Sequence, residues 1–207
     1  MSTNNTTTSE KLTFSFDIKP ECHKALKELW KQTDKKVKPE YHNLHFMPDG
    51  YVYFATYQAI LRTKYTDNPK VVEPVCFNLE DFLSLLTGKE SVISGTITKD
   101  EKDITCKIGK KIIGHSADVK SIRHISKLFY TSTDHKSVDF QDHHKTPVST
   151  IRFLDCFLSQ WTINFIHDYF TSSNQILDVK AKGERDVFFV YGECFDMLFV
   201  PVSIRNY

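Results

Sequence analysis

Apolar residues recur along this chain at two different spacings, and the changes of spacing mark out its elements. Leu12, Phe14, Phe16 and Ile18 alternate with polar neighbours, the period of a half-buried strand. Pro20 follows, and proline suits the first turn of a helix because its missing N–H is not needed there. Cys22, Ala25, Leu26, Leu29 and Trp30 then fall at i, i+3, i+4, i+7 and i+8, which predicts an amphipathic helix with Lys24, Lys27 and Lys31 on its polar face. By itself that face reads as a solvated helix surface. Residues 41–65 predict a β-meander. Pro48-Asp49-Gly50 is its first turn and Thr56-Tyr57-Gln58 its second, with Leu44 and Phe46 sharing one face of the incoming strand and Val52 and Phe54 one face of the outgoing strand.

Beyond an Asp67-Asn68-Pro69 loop, residues 71–77 read as a strand in which Pro74 implies an edge or a bulge. Asn78 is placed to cap a second helix with the stripe Leu79, Phe82, Leu83 and Leu86, and Gly88 to end it. Residues 91–98 and 103–108 read as paired strands, with a further strand over 110–116. A third helix is expected from Asp118, turning Val119, Ile122, Ile125 and Phe129 inward and Lys120, Arg123 and Lys127 outward, with a strand near 127–132 as the alternative. Residues 131–146 are polar and read as a loop or short hairpin. Ser149 or Thr150 is expected to cap a helix reaching Trp161, with stripe Phe153, Leu154, Phe157, Leu158 and Trp161. Strands over 162–168, 175–181, 186–191 and 197–204 complete an α+β chain. The order strand, helix, strands returns after residue 146, which suggests duplication of a half-domain. The expected division is a disordered tail over 1–10, one unit over 11–117 and a second, shorter unit over 118–207.

Composition narrows the function classes. At 207 residues the chain can bury about 70% of its unfolded surface and needs no covalent staple. Its formal net charge of +1 gives no overall attraction to polyanions, so a nucleic-acid contact must come from a local patch. Five widely spaced cysteines, none in a C-x-x-C pair, favour reduced thiols in the cytoplasm. The N-terminus lacks the apolar core of a signal peptide, and no apolar run approaches the ~20 residues that span a bilayer.

Catalytic chemistry finds little support. Asp134, His135, Asp139, Asp142, His143 and His144 form the densest group of metal-binding residue types, but without the spacing of a zinc site, so they read as a solvated loop. His42 and His45, three apart on a strand, point to opposite faces. Cys156 near Arg152 reads as packing rather than a nucleophile. Phosphate-cradling glycine motifs are absent from the sequence. The expectation is a protein without enzymatic activity, metal or cofactor.

Four segments resemble the DNA sliding clamp family, the β subunit of bacterial replicative polymerases. LTFSFDIKPECHKALKELW is similar to the family's opening strand and helix. HNLHFMPDGYVYFATYQAILRTKY resembles its hairpin and Ala-Thr-Asp turn, with Tyr57 in place of the acidic residue. VCFNLEDFLSLLTGKESVISGTIT resembles its second helix and following strands. FFVYGECFDMLFVPVSIRNY resembles its closing strand. The resemblance implies a DNA-clamp fold, with sheets outside and helices facing duplex DNA, and a processivity factor of DNA replication that performs no chemistry. It implies sequence-independent phosphate contacts from Lys24, Lys27, Lys31, Lys120, Arg123, Lys127 and Arg152. It further implies an apolar pocket for partners such as a polymerase at Pro201, Val202 and Ile204, and a homo-oligomer. The chain is too short for the three domains of the bacterial clamp. Its second unit lacks a clear first hairpin, and Glu80 and Asp81 make the second helix acidic. A clamp fold used only for protein contacts, without encircling DNA, is the alternative.

Overall fold

The computed structural model describes residues 12–33, 39–89, 91–100, 103–115, 125–130, 136–138, 150–153, 156–171, 178–181 and 187–200. The expected N-terminal tail lies outside them. In chain order come β1 (Leu12–Ile18), α1 (Pro20–Gln32), a 3-10 turn (Pro39–His42), β2 (Asn43–Phe46), β3 (Tyr51–Ala55), β4 (Ala59–Lys64), β5 (Val75–Asn78), α2 (Leu79–Leu85), β6 (Ile93–Lys99), β7 (Ile104–Ile108) and β8 (Lys111–Gly114). Next are α3 (Ile125–Tyr130), β9 (Lys136–Val138), β10 (Thr150–Phe153), β11 (Cys156–Ser159) and α4 (Gln160–Ile166), which runs into a π-helical turn (His167–Thr171). β12 (Asp178–Ala181), β13 (Phe188–Tyr191) and β14 (Asp196–Phe199) follow.

Every strand pairing is antiparallel among the described residues. β1-β6-β7-β8 make one sheet, β10-β11 a hairpin, and β5-β2-β3-β4-β14-β13-β12-β9 an eight-stranded sheet. Early and late parts of the chain meet in the middle of that large sheet, where Arg62 pairs with Asp196 and Ala59 with Phe199 along β4 and β14.

The meander forms because its turn residues meet strict demands. Gly50 has φ +84°, and a Cβ there would stand 2.7 Å from the Thr66 carbonyl oxygen, so both conformation and space require glycine. Asp49 accepts from the Tyr51 N–H at 3.0 Å and from the Tyr53 hydroxyl at 2.7 Å, fixing the turn to the strand it feeds. Side chains alternate along β2–β4 and reach two different cores. Leu44, Phe46, Val52, Phe54 and Leu61 join the main core, which both large sheets share with α1, α2 and α4. Tyr53, Ala55 and Ile60 point the other way and meet Phe129 of α3, with Phe189 and Leu198. The eight-stranded sheet thus carries α1, α2 and α4 on one face and α3 on the other.

Several expectations need correction. The strand expected over 71–77 starts only at Val75, because Pro74 has no N–H to give a ladder. Residues 125–130 are helical, which removes the alternative strand there, and Phe129 packs on Tyr53 and Phe189 at 6.0 Å each. Within the helix expected from Ser149 or Thr150 to Trp161, Thr150–Phe153 and Cys156–Ser159 are instead the paired strands β10 and β11, with Phe153 opposite Cys156, and only Gln160 and Trp161 are helical among the described residues. Ser159 is the true cap: its Oγ accepts from the Thr162 N–H at 3.1 Å, and the helix follows it. The expected strand over 162–168 is that helix. Ile163, Phe165, Ile166 and Phe170 are buried at helical spacing, which overrides the β-branched character of Thr162 and Ile163. β13 and β14 are shorter than the strands expected over 186–191 and 197–204, while β12 covers the described part of the strand expected over 175–181, whose residues 175–177 lie outside the described ones.

Candidate nucleic-acid interface

α1 is seated by the residues its sequence pattern predicts: Cys22, Ala25, Leu26 and Leu29 are fully buried. That seating turns Lys24, Lys27 and Lys31 to solvent. Lys31 is shared, its Nζ standing 3.0 Å from Glu28 Oε2. Lys24 and Lys27 enter no ion pair among the described residues.

α2 lies against α1 and begins at a well-formed cap, where Asn78 Oδ1 accepts from the N–H groups of Glu80 at 2.9 Å and Asp81 at 3.3 Å. Carboxylates at that end suit the helix dipole. Their exposure also puts negative charge on the helix-bearing face. Tyr169 stands close enough to Glu28 and Lys31 of α1 to feel both charges. Asn164 and Asp168 are exposed beside it. The helix-bearing face thus carries lysines along α1, with exposed carboxylates at the start of α2 and at Asp168.

Other expected site residues fall elsewhere. Lys127 is exposed on α3, on the opposite side of the eight-stranded sheet from Lys24, so the two do not share a surface. Arg152 lies on β10, a strand rather than the expected helix. Lys120, Arg123, Pro201, Val202 and Ile204 lie outside the described residues. The approach to the last three is visible: the Val200 N–H donates to the Gln58 carbonyl at 2.8 Å, beside the second turn of the meander. Val200 and Tyr57 are 48% and 58% exposed, and the Tyr57 ring sits 4.8 Å from that of Tyr41, so apolar surface gathers at this point. Sequence reasoning missed one basic residue near α1. Lys89, just past α2, lines the same hollow as Lys24 and Lys27. Gly88-Lys89 signals a helix end in the sequence, but its nearness to α1 depends on tertiary packing.

Groups suited to catalysis are scarce among the described residues. Among the described residues no cluster of three His, Cys, Asp or Glu is arranged to hold a metal. The group from Asp134 to His144 lies outside those residues. His42 ends the 3-10 turn rather than lying on a strand, with its ring edge-on to Trp30 at 5.7 Å, while His45 is buried in β2. Cys156 is on β11, not on a helix. Cys22, Cys76, Cys106 and Cys194 form no disulfide. Burial pushes the Cys106 thiol up to about 12 and the Cys22 thiol well above its usual value, so neither supplies a thiolate.

No protein-family model matches the chain, and no curated protein matches its sequence. Solved structures do. The DNA polymerase III β subunit from Thermotoga maritima superposes with a TM-score of 0.61 at 9% identity, over 95% of this chain and 66% of that one. That from Pseudomonas aeruginosa gives 0.61 at 9% identity, over 93% and 66%. The Helicobacter pylori β clamp in complex with 5-chloroisatin gives 0.56 at 12% identity, over 94% and 64%. This chain spans about two thirds of the length of those clamps. It has the α+β fold of the DNA polymerase III β sliding clamp.

Proposed function

We propose that this protein is a non-enzymatic, clamp-like processivity factor that holds duplex DNA without regard to sequence and keeps a replication protein, such as a polymerase, beside it. One observation carries the reading: in a sliding-clamp fold, the face bearing α1, α2 and α4 offers Lys24 and Lys27 to solvent, and among the described residues no carboxylate engages them. Ammonium groups one turn apart on a helix can reach the same stretch of phosphate backbone together, and phosphate contacts carry no base information. Lys31 is the third proposed contact. The apolar surface at Tyr57 and Val200 supports a docking point for a partner's apolar segment, continued by Pro201, Val202 and Ile204. Because the chain is about two thirds the length of a clamp chain, a ring of that size needs several copies, and a homo-oligomer is part of the proposal. So are the division into units 11–117 and 118–207 and a reducing, cytoplasmic setting for the thiols.

A second reading is favoured by Glu80, Asp81 and Asp168, whose carboxylates are exposed beside α1: a clamp fold that contacts only proteins. Sedimentation of the protein with and without a labelled duplex at low salt separates the two. The clamp reading expects an oligomer that binds duplexes of unrelated sequence equally well. A species that leaves every duplex free supports the second reading and removes the first.

A further inference from the structure

A hollow of about 430 Å³ opens between the N-terminal half of α1 and the chain just beyond α2. Lys24 and Lys27 reach it from α1, and Lys89 reaches it from the other side. Gly88 makes that approach possible. Its φ of +76° turns the chain back after α2, and a Cβ there would stand 3.5 Å from Cε1 of His23, the buried residue beneath. All three lysines are exposed, and none enters an ion pair among the described residues. Among the described residues that line the hollow Glu21 is the one carboxylate, so they bring three positive groups against one negative. Like charges gathered from two elements repel one another, and an anion placed among them relieves that repulsion.

We propose that this hollow seats a single phosphate group, held by Lys24, Lys27 and Lys89. Each ammonium brings three N–H donors and no acceptor, which suits phosphate oxygens and excludes cations. An open, solvated site of this kind binds free phosphate weakly. A phosphate belonging to a chain already held along α1 binds it better, because the second contact is then intramolecular. The seat rests on the reading of α1 as the DNA-facing helix only for the source of that phosphate.

The test combines two titrations of the full chain. Inorganic phosphate is added while NMR follows the Gly88 and Lys89 amides and the side chains of Lys24, Lys27 and Lys89, with exposed Lys110 as control. The salt dependence of duplex binding is then measured for the unaltered protein, Lys89→Ala and Lys89→Arg. The expected result is a saturable shift confined to the hollow and lost in Lys89→Ala. The log–log salt slope should also flatten by about 0.9 in Lys89→Ala and be restored in Lys89→Arg. A saturable shift without any duplex binding keeps the seat, assigns it to free phosphate groups and removes the DNA-facing reading of α1. Duplex binding with an unchanged slope in Lys89→Ala, together with a shift no larger than that of Lys110, overturns the seat and leaves the DNA reading standing.

Discussion

Arg62 on β4 donates from Nε to Oδ2 of Asp196 on β14 at 2.8 Å, across the strand pair that joins the early and late parts of the chain. The two side chains are only 11% and 17% exposed. The guanidinium lies 4.2 Å from the Phe129 ring centroid and 4.7 Å from that of Tyr51, so α3 closes over the ion pair. Burial pushes the Asp196 carboxyl above its usual range even though Arg62 opposes that shift. Removing the cation alone leaves a buried carboxylate. Arg62→Ala and Asp196→Asn should therefore each cost about 3 kcal/mol in urea unfolding, because each leaves the partner's charge buried and unmatched. A loss below about 1 kcal/mol in both variants would contradict this. The sign with pH follows as well: a carboxyl with a raised folded pKa takes up its proton more readily when folded, so Asp196 is not a source of acid instability.

His115 ties the end of β8 to the edge strand β5, where the Cys76 N–H donates to its Nδ1 at 3.4 Å. That contact requires an unprotonated Nδ1. Burial, reinforced by the charge of Lys99, holds the imidazole below its usual pKa. With the folded value depressed, the unfolded chain binds the proton first. The contribution is present above about pH 6.5 and is lost as pH falls through the folded value. Stability of the unaltered protein relative to His115→Phe should decline from pH 7 towards pH 5. A difference that stays constant over that range would show that His115 does not titrate in this way.

Gly95 on β6 lies opposite Phe16 on β1, and the phenyl ring covers the glycine. A Cβ there would run into that ring and stand 2.8 Å from the Lys107 carbonyl oxygen, which is backbone and cannot swing aside. Phe16 is 1% exposed and packs on Phe46 at 5.0 Å, so it has no room to yield. Gly95→Ala should cost about 1–3 kcal/mol as overpacking, measured by thermal or urea unfolding. A neutral substitution would mean that the two sheets slide apart more easily than this packing implies.

β1, α1 and the meander were legible in the sequence because each has one dominant apolar period and turn residues with a single mechanical role. Residues 150–170 were not. Apolar side chains at 151, 153, 154, 157 and 158 satisfy strand and helix spacing alike, and Ser149 and Ser159 are both plausible caps. Only the pairing of β10 with β11 decides between them. The candidate site divides similarly. The exposure of Lys24 and Lys27 follows from the stripe that buries Leu26 and Leu29. Which side of the sheet α3 covers, and hence where Lys127 lies, is set by Tyr53 and Phe189, far away in sequence. Lys89 joins the site through the left-handed turn at Gly88, and no local pattern announces its neighbour.

The claim that α1 meets DNA is tested most directly by the salt dependence of duplex binding for the unaltered protein and for Lys24→Ala/Lys27→Ala. Both lysines are exposed, so the double variant should keep its fold, checked by an unchanged unfolding midpoint. Each phosphate-contacting lysine contributes about 1 to the slope of log affinity against log salt, and the double replacement should flatten it by roughly two, equally for duplexes of different sequence. A protein that fails to bind duplex DNA even at low salt, or a folded double variant with an unchanged slope, would contradict the claim.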